Sequence, residues 1–107
     1  ESEMNIVCVA ACTAGIAHTY IAREKLMKGA KALGHNVKVE TQGTIGTENE
    51  LTTEDIAAAD VVILAVDVKI KGEERFKNKR IVRVKTEVVI KSPIQFIEKV
   101  EKSLANA

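Results

Sequence analysis

The sequence predicts an α/β domain built on an open, four-stranded parallel sheet in the order 2-1-3-4, with helices on both faces. Three observations carry this expectation. Residues 4–10, a short apolar run broken only by Asn5, and the continuous apolar run 61–66 have the length of strands covered on both sides. Strand-like and helix-like segments follow one another as β-α-β-α-β-β-α, and parallel neighbours need the right-handed crossovers that intervening helices supply. The chain has 107 residues, 46% of them hydrophobic, which suits one core. We therefore expect a single Rossmann-like domain over residues 1–107, with Glu1-Ser2-Glu3 as a frayed start or linker.

The elements follow in order. Met4-Asn5-Ile6-Val7-Cys8-Val9-Ala10 is the first, buried strand. After a loop around Cys12, the residues Ala22, Leu26, Ala30 and Leu33 recur at helical spacing until Gly34 supplies a stop. His35 to Gln42 alternates apolar and polar residues as a half-covered strand does, and Gly43 and Gly46 break it, so this strand is expected at the sheet edge. Thr52 or Thr53 caps a short helix through Ala58, with Glu54 and Asp55 at its positive end. Residues 61–66 form the third strand and residues 81–84 a weaker fourth, beyond the charged segment 69–80. Ser92-Pro93-Ile94-Gln95 joins a capping serine, a proline at the first helical position and a glutamine three residues after the cap. It opens a last helix with Ile94, Ile97, Val100 and Leu104 facing inward.

Lys and Arg total 16 against 15 acidic residues, a formal charge of +1, so nothing global draws the chain to nucleic acid or a membrane surface. No apolar run approaches the roughly 20 residues of a membrane span, and no signal peptide precedes the first strand, which makes the cytoplasm the expected location without direct membrane insertion. Cys8 and Cys12, four positions apart on an extended strand, would stand about 13 Å from each other. A disulfide tolerates no more than about 7 Å. Companion Cys or His residues at zinc spacing are lacking, so no metal site is expected. Cys8 reads as a small buried hydrophobe.

In open sheets of this order, ligands bind beyond the carboxyl ends of the strands, at the point where the strand order reverses. Cys12 lies there, in Ala11-Cys12-Thr13-Ala14-Gly15-Ile16-Ala17-His18-Thr19. Small residues hinder the backbone little, so the amides from Thr13, Ala14, Gly15, Ile16 and Ala17 can converge on an anion with the positive end of the following helix. Such a cradle suits phosphate and favours thiolate over thiol, with His18 and Thr19 as further donors. Cys12 is then a candidate catalytic nucleophile, able to form a phosphocysteine whose oxygens fill the cradle and to pass the phosphoryl group to a hydroxyl. An inert cysteine in an ordinary strand-to-helix turn fits the spacing as well. A small phosphatase would place an arginine about six residues after its cysteine, where this chain has His18, and its first arginine is Arg23. A dinucleotide fold would want three glycines where only Gly15 stands. A non-enzymatic module that merely holds an anion is the rival from another class, and Cys12 discriminates the two.

Taken with the rest of the chain, the loop resembles the fructose-type enzyme IIB domain of the bacterial phosphoenolpyruvate-dependent sugar phosphotransferase system. The resemblance spans about residues 4–104. It is sharpest at the Cys12 loop with Gly15-Ile16-Ala17-His18-Thr19, at Val39-Glu40-Thr41-Gln42-Gly43 and at Glu48-Asn49-Glu50-Leu51-Thr52. It implies that Cys12 accepts a phosphoryl group from a phosphohistidine of enzyme IIA and donates it to fructose or a fructose-like sugar held by membrane-embedded enzyme IIC, with no cofactor. It also implies a cytoplasmic domain held at the inner face of the membrane through enzyme IIC. One departure stands out: the family loop commonly reads Cys-Pro-Thr-Gly, and this one reads Cys12-Thr13-Ala14-Gly15, losing a proline and a hydroxyl.

Gln42, Gly43 and Asp67 fall at the ends of the second and third strands and could border the same crevice. Turn formation and surface solvation are their plainer roles, and the preferred one for Asp67. Glu48 and Glu50 are assigned loop or partner contacts, since transfer from a cradle relies on positioning and electrostatics. Lys69 to Lys91 holds nine Lys or Arg and three Glu. A solvated face explains this; docking to an acidic partner surface is the sharper reading. Phe76 is the one aromatic residue within it, so stacking on nucleic acid is not indicated.

Overall fold

The structure, a computed structural model, describes residues 4–12, 16–43 and 46–105. Its elements are β1 (Asn5–Ala11), α1 (Ile16–Ala32), β2 (Asn36–Gly43), β3 (Gly46–Glu48), α2 (Thr53–Ala58), β4 (Val61–Val66), a 3₁₀ turn (Glu73–Phe76), β5 (Ile81–Val84), α3 (Thr86–Lys91) and α4 (Pro93–Ala105). The α/β class and the 2-1-3-4 arrangement of the four expected strands stand as β2-β1-β4-β5, all parallel neighbours. Among the described residues the strand count is corrected from four to five. β3 pairs antiparallel with β2, from Thr41 opposite Glu48 to Gly43 opposite Gly46, so β3 and not β2 is the edge.

β1 and β4 form the centre, and their apolar runs are explained by burial on both sides. Ile6, Cys8 and Ala10 of β1, with Val61, Ile63 and Ala65 of β4, face one core. Ala22, Leu26 and Ala30 of α1, Val89 of α3, and Phe96, Ile97 and Val100 of α4 cover that face. Val7, Val9, Ala11, Val62 and Leu64 face the other core, under Leu51, Ile56, Ala59, Ile70 and Phe76. Burying each large aliphatic side chain is worth about 1.5–3 kcal/mol. Ile94 is an exception to the expected α4 face: it is exposed, and Phe96 packs inward instead.

Local chemistry sets the ends of the elements. α1 closes in a paired C-terminal motif, with Gly34 N–H donating to Lys31 C=O (3.0 Å) and His35 N–H to Ala30 C=O (2.9 Å), and Gly34 takes φ +83°, a conformation glycine adopts without a Cβ penalty. Thr52, not Thr53, caps α2: its Oγ1 accepts from Asp55 N–H while the Asp55 carboxylate accepts from Thr52 N–H, both at 3.0 Å. Ser92 links two helices, its N–H closing α3 on Val88 C=O (2.9 Å) and its C=O accepting from Phe96 N–H (3.0 Å).

The thinner face carries a polar clamp. Glu40 of β2 is 1% exposed and takes a forked pair from Arg75, Nη1 to Oε1 at 2.9 Å and Nη2 to Oε2 at 3.1 Å. Gln42 Nε2 (2.7 Å) and Leu51 N–H (3.0 Å) complete its shell. Burial alone would push the Glu40 carboxyl up, but the hydrogen bonds from Arg75, Gln42 and Leu51 outweigh it and hold the group below its ordinary value. Arg75 Nε donates to Gly72 C=O at 2.6 Å. Gly72 stands at φ +75°, and a Cβ there would come within 2.7 Å of that same Nε.

Candidate functional site

β1 delivers Cys12 to the carboxyl edge of the sheet, next to the ends of its neighbours. Asp67 N–H donates to Ala11 C=O at 2.9 Å, which keeps the chain leaving β4 beside the chain leaving β1. Thr13, Ala14 and Gly15 of the expected phosphate cradle lie outside the described residues. Ile16 and Ala17 open α1, whose first turn carries no acidic residue to compete for its unpaired N–H groups.

Cys12 Sγ lies 3.1 Å from His18 Nδ1 and 3.4 Å from Thr19 Oγ1. Thr19 is 2% exposed, while Cys12 and His18 are half-buried. The helical geometry explains the grouping: the first turn of α1 sets two consecutive side chains, an imidazole and a hydroxyl, against the sulfur that ends the preceding strand. The thiol thus meets one group that exchanges a proton and one that donates to an anion, a pairing seen around activated nucleophiles. Cys8, four residues earlier, is fully buried, and burial pushes its thiol up, out of reach of reagents and of the thiolate form.

Asp67, an exposed residue at the bend after β4, stands beside Cys12 and His18. One ligand atom each from Cys12, His18 and Asp67 lies within 4.8 Å of the others. Zinc spacing is absent from the sequence, yet the fold gathers a thiol, an imidazole and a carboxylate from three segments. Thr86 fixes the carboxylate, donating from N–H to Oδ1 (3.1 Å) and from Oγ1 to Oδ2 (2.6 Å), and Thr86 is itself fully buried. Thr86 escaped the sequence reading because it serves Asp67 from 19 positions away. His18, Val66, Asp67, Thr86 and Ile90 help line an open groove of about 620 Å³ beside the thiol.

The remaining candidates take other positions. Gln42 turns from the thiol to the clamp: its Oε1 accepts from Lys71 N–H (2.9 Å) and its Nε2 donates to Lys71 C=O (3.0 Å), as a neighbouring strand would. Gly43 is the exposed end of β2, opposite Gly46. Glu48 has an intramolecular contact, accepting from the Tyr20 hydroxyl and tying β3 to α1. Four of the nine basic residues in the 69–91 segment serve the fold itself. Arg75 holds Glu40, Lys79 donates to Ala57 and Ala59 C=O, Arg83 pairs with Glu73, and Lys91 pairs with Glu87.

Comparison with known proteins identifies the family. Residues 7–99 match the family model described as PTS system, lactose/cellobiose specific IIB subunit. The chain is 55% identical over 100 residues to PTS system fructose-like EIIB component 2 of Escherichia coli (strain K12), covering 94% of each. It is 46% identical over 94 residues to the fructose-like PTS system EIIBC component of the same organism, covering 86% of this chain and 20% of that one. A solved domain of the fructose-specific IIABC component of Borrelia burgdorferi superposes with a TM-score of 0.85 at 48% identity, covering 92% of this chain and 93% of that one. A protein with this match along its length has the phosphoryl-transfer role of a sugar phosphotransferase component, and the chain belongs to the fructose-like enzyme IIB family of the phosphotransferase system.

Proposed function

We propose that Cys12 is the phosphoryl acceptor and donor of this domain. One observation carries the reading: Cys12 Sγ stands at the carboxyl end of β1 with His18 Nδ1 at 3.1 Å and Thr19 Oγ1 at 3.4 Å, ahead of the N-terminus of α1. In the first step the Cys12 thiolate attacks the phosphorus of a phosphohistidine on an enzyme IIA domain. An S–P bond forms, the N–P bond breaks, and the departing imidazole takes up a proton. In the second step a hydroxyl of a fructose-like sugar bound by enzyme IIC attacks the same phosphorus. The O–P bond forms, the S–P bond breaks, and the hydroxyl proton leaves while the thiolate is restored. His18 and Thr19 position the sulfur and donate to the phosphoryl oxygens, and the unpaired backbone amides of Ile16 and Ala17 at the start of α1 supply further donors.

Relatives described as EIIBC and IIABC components, which combine the B unit with C and with A and C, support these partners. The domain would then work at the cytoplasmic side of a membrane through its IIC partner; among the described residues no helix is long and apolar enough to cross one. Incubation with phosphorylated enzyme IIA should add a single phosphoryl group, read by intact mass. Cys12→Ala should accept none while keeping its far-ultraviolet circular dichroism. Labelling that persists in a folded Cys12→Ala protein would place the acceptor elsewhere.

A further inference from the structure

We propose that Cys12, His18 and Asp67 also form a binding site for a thiophilic divalent cation, zinc by its chemistry, and that a cation there and a phosphoryl group on Cys12 exclude each other. The site stands on its own geometry, and only the exclusion rests on Cys12 being the phosphoryl acceptor. Zinc binds sulfur at about 2.3 Å and imidazole or carboxylate at about 2.0–2.2 Å, so tetrahedral donors stand about 3.3–3.6 Å apart. The Cys12–His18 edge is already 3.1 Å, and all three donors lie within 4.8 Å. A side-chain shift of about 1 Å brings the carboxylate to zinc-ligand spacing.

The donor chemistry selects the metal. Thiolate with imidazole favours zinc over magnesium or calcium, which want oxygen ligands. Binding releases the Cys12 thiol proton to solvent, and the resulting thiolate together with the Asp67 carboxylate neutralises a dication. Asp67 is built for the task. Each of its oxygens accepts one hydrogen bond from buried Thr86, at 3.1 and 2.6 Å, which orients the carboxylate as an outer shell does and leaves a lone pair on each oxygen. Three protein ligands beside an open groove leave the fourth position to water, the pattern of an exchangeable centre. A bound cation lowers the charge and nucleophilicity of the sulfur and occupies the space a phosphoryl group needs, and an esterified sulfur has lost the charge that holds the metal.

Cobalt(II) titration of the full chain tests the site without any phosphoryl donor. Wild type should show a thiolate-to-cobalt charge-transfer band and intense tetrahedral bands at one equivalent, displaced by zinc and not by magnesium. Cys8→Ala should keep them and Cys12→Ser should lose the charge-transfer band. Asp67→Asn keeps an oxygen for Thr86, and with its fold verified by circular dichroism it should bind more than about tenfold more weakly, beyond the least that loss of an outer-shell group produces. Absence of the charge-transfer band in wild type, or unchanged affinity in folded Asp67→Asn, overturns the site. One equivalent of zinc should block labelling by phosphorylated enzyme IIA, and a chelator should restore it. Undiminished labelling of zinc-loaded protein overturns the exclusion. Failure of metal-free wild type to be labelled would instead count against the phosphoryl reading and leave the cobalt result standing.

Discussion

The two ends of the sheet each hold a histidine within reach of a carboxylate, and they use it differently. At the carboxyl end, His18 is half-buried and faces the Cys12 sulfur, with Asp67 close by. At the amino end, His35 is 7% exposed and fully committed: Met4 N–H donates to its Nδ1 at 3.0 Å, and its Nε2 meets Glu101 Oε2 at 2.5 Å. Since Nδ1 is the acceptor, Nε2 carries the proton and donates it to the carboxylate. His35 thus fastens the entry to β1 onto α4. The same side chain is a structural pin where both nitrogens are saturated inside the chain, and a neighbour of the proposed phosphoryl acceptor where one of them faces the Cys12 thiol. The two cysteines repeat the contrast within one strand, Cys8 sealed and Cys12 accessible.

The largest expected effect comes from the cysteines. A thiol reagent should modify native protein once, at Cys12, and reach Cys8 only through global opening, with a rate ratio of at least about 10³ for a stability of about 5 kcal/mol. Peptide mapping after a timed exposure checks this, and comparable rates at both sites would erase the contrast. Next is the clamp. Arg75→Met leaves the Glu40 carboxylate buried without its main partner and should cost about 3–5 kcal/mol in urea unfolding. Swapping the two histidines for glutamine sharpens the comparison directly. His35→Gln should cost about 1–3 kcal/mol of stability with no change in Cys12 modification, and His18→Gln should alter Cys12 reactivity with little change in the urea midpoint.

The effect of pH follows from Glu40. Its carboxyl is held below the ordinary value of 4.5, so its contribution to stability is complete above that pH and is lost as pH falls through the lower, folded value. Asp55, held at about 2 by Lys38 and the Thr52 N–H, loses its contribution further into acid, from 3.8 downwards. Stability measured against pH should therefore fall below pH 4.5 less steeply in Glu40→Gln than in wild type. The smallest effect is at the α2 cap, where Thr52→Ala should cost about 1 kcal/mol and leave both ends of the sheet unchanged.

What the sequence could disclose depended on how local the cause was. The central strands, the Gly34 stop and the start of α4 are encoded by adjacent residues, and all were legible. β3 was not, because Gly46-Thr47-Glu48 has no apolar pattern and owes its conformation to pairing with β2. α3 was missed because Val88, Val89 and Ile90 are β-branched, and burial of Val89 between α1, α4 and the sheet overrides that preference. At the site, Cys12, His18 and Thr19 were legible because one turn of helix brings them together. Thr86 and its bonds to Asp67 were not, since a hydrogen bond across 19 positions leaves no trace in spacing. The burial of Glu40 was hidden for the same reason, its partner Arg75 lying 35 positions away.

The clamp has a kinetic meaning as well. Arg75 and the Lys71 backbone bind the excursion after β4 to β2, so this stretch acquires its shape during folding. A protein that docks there meets a surface already ordered, and little conformational entropy remains to be lost on contact. Loosening the stretch through Arg75 should therefore weaken any association made there before it alters chemistry at the thiol.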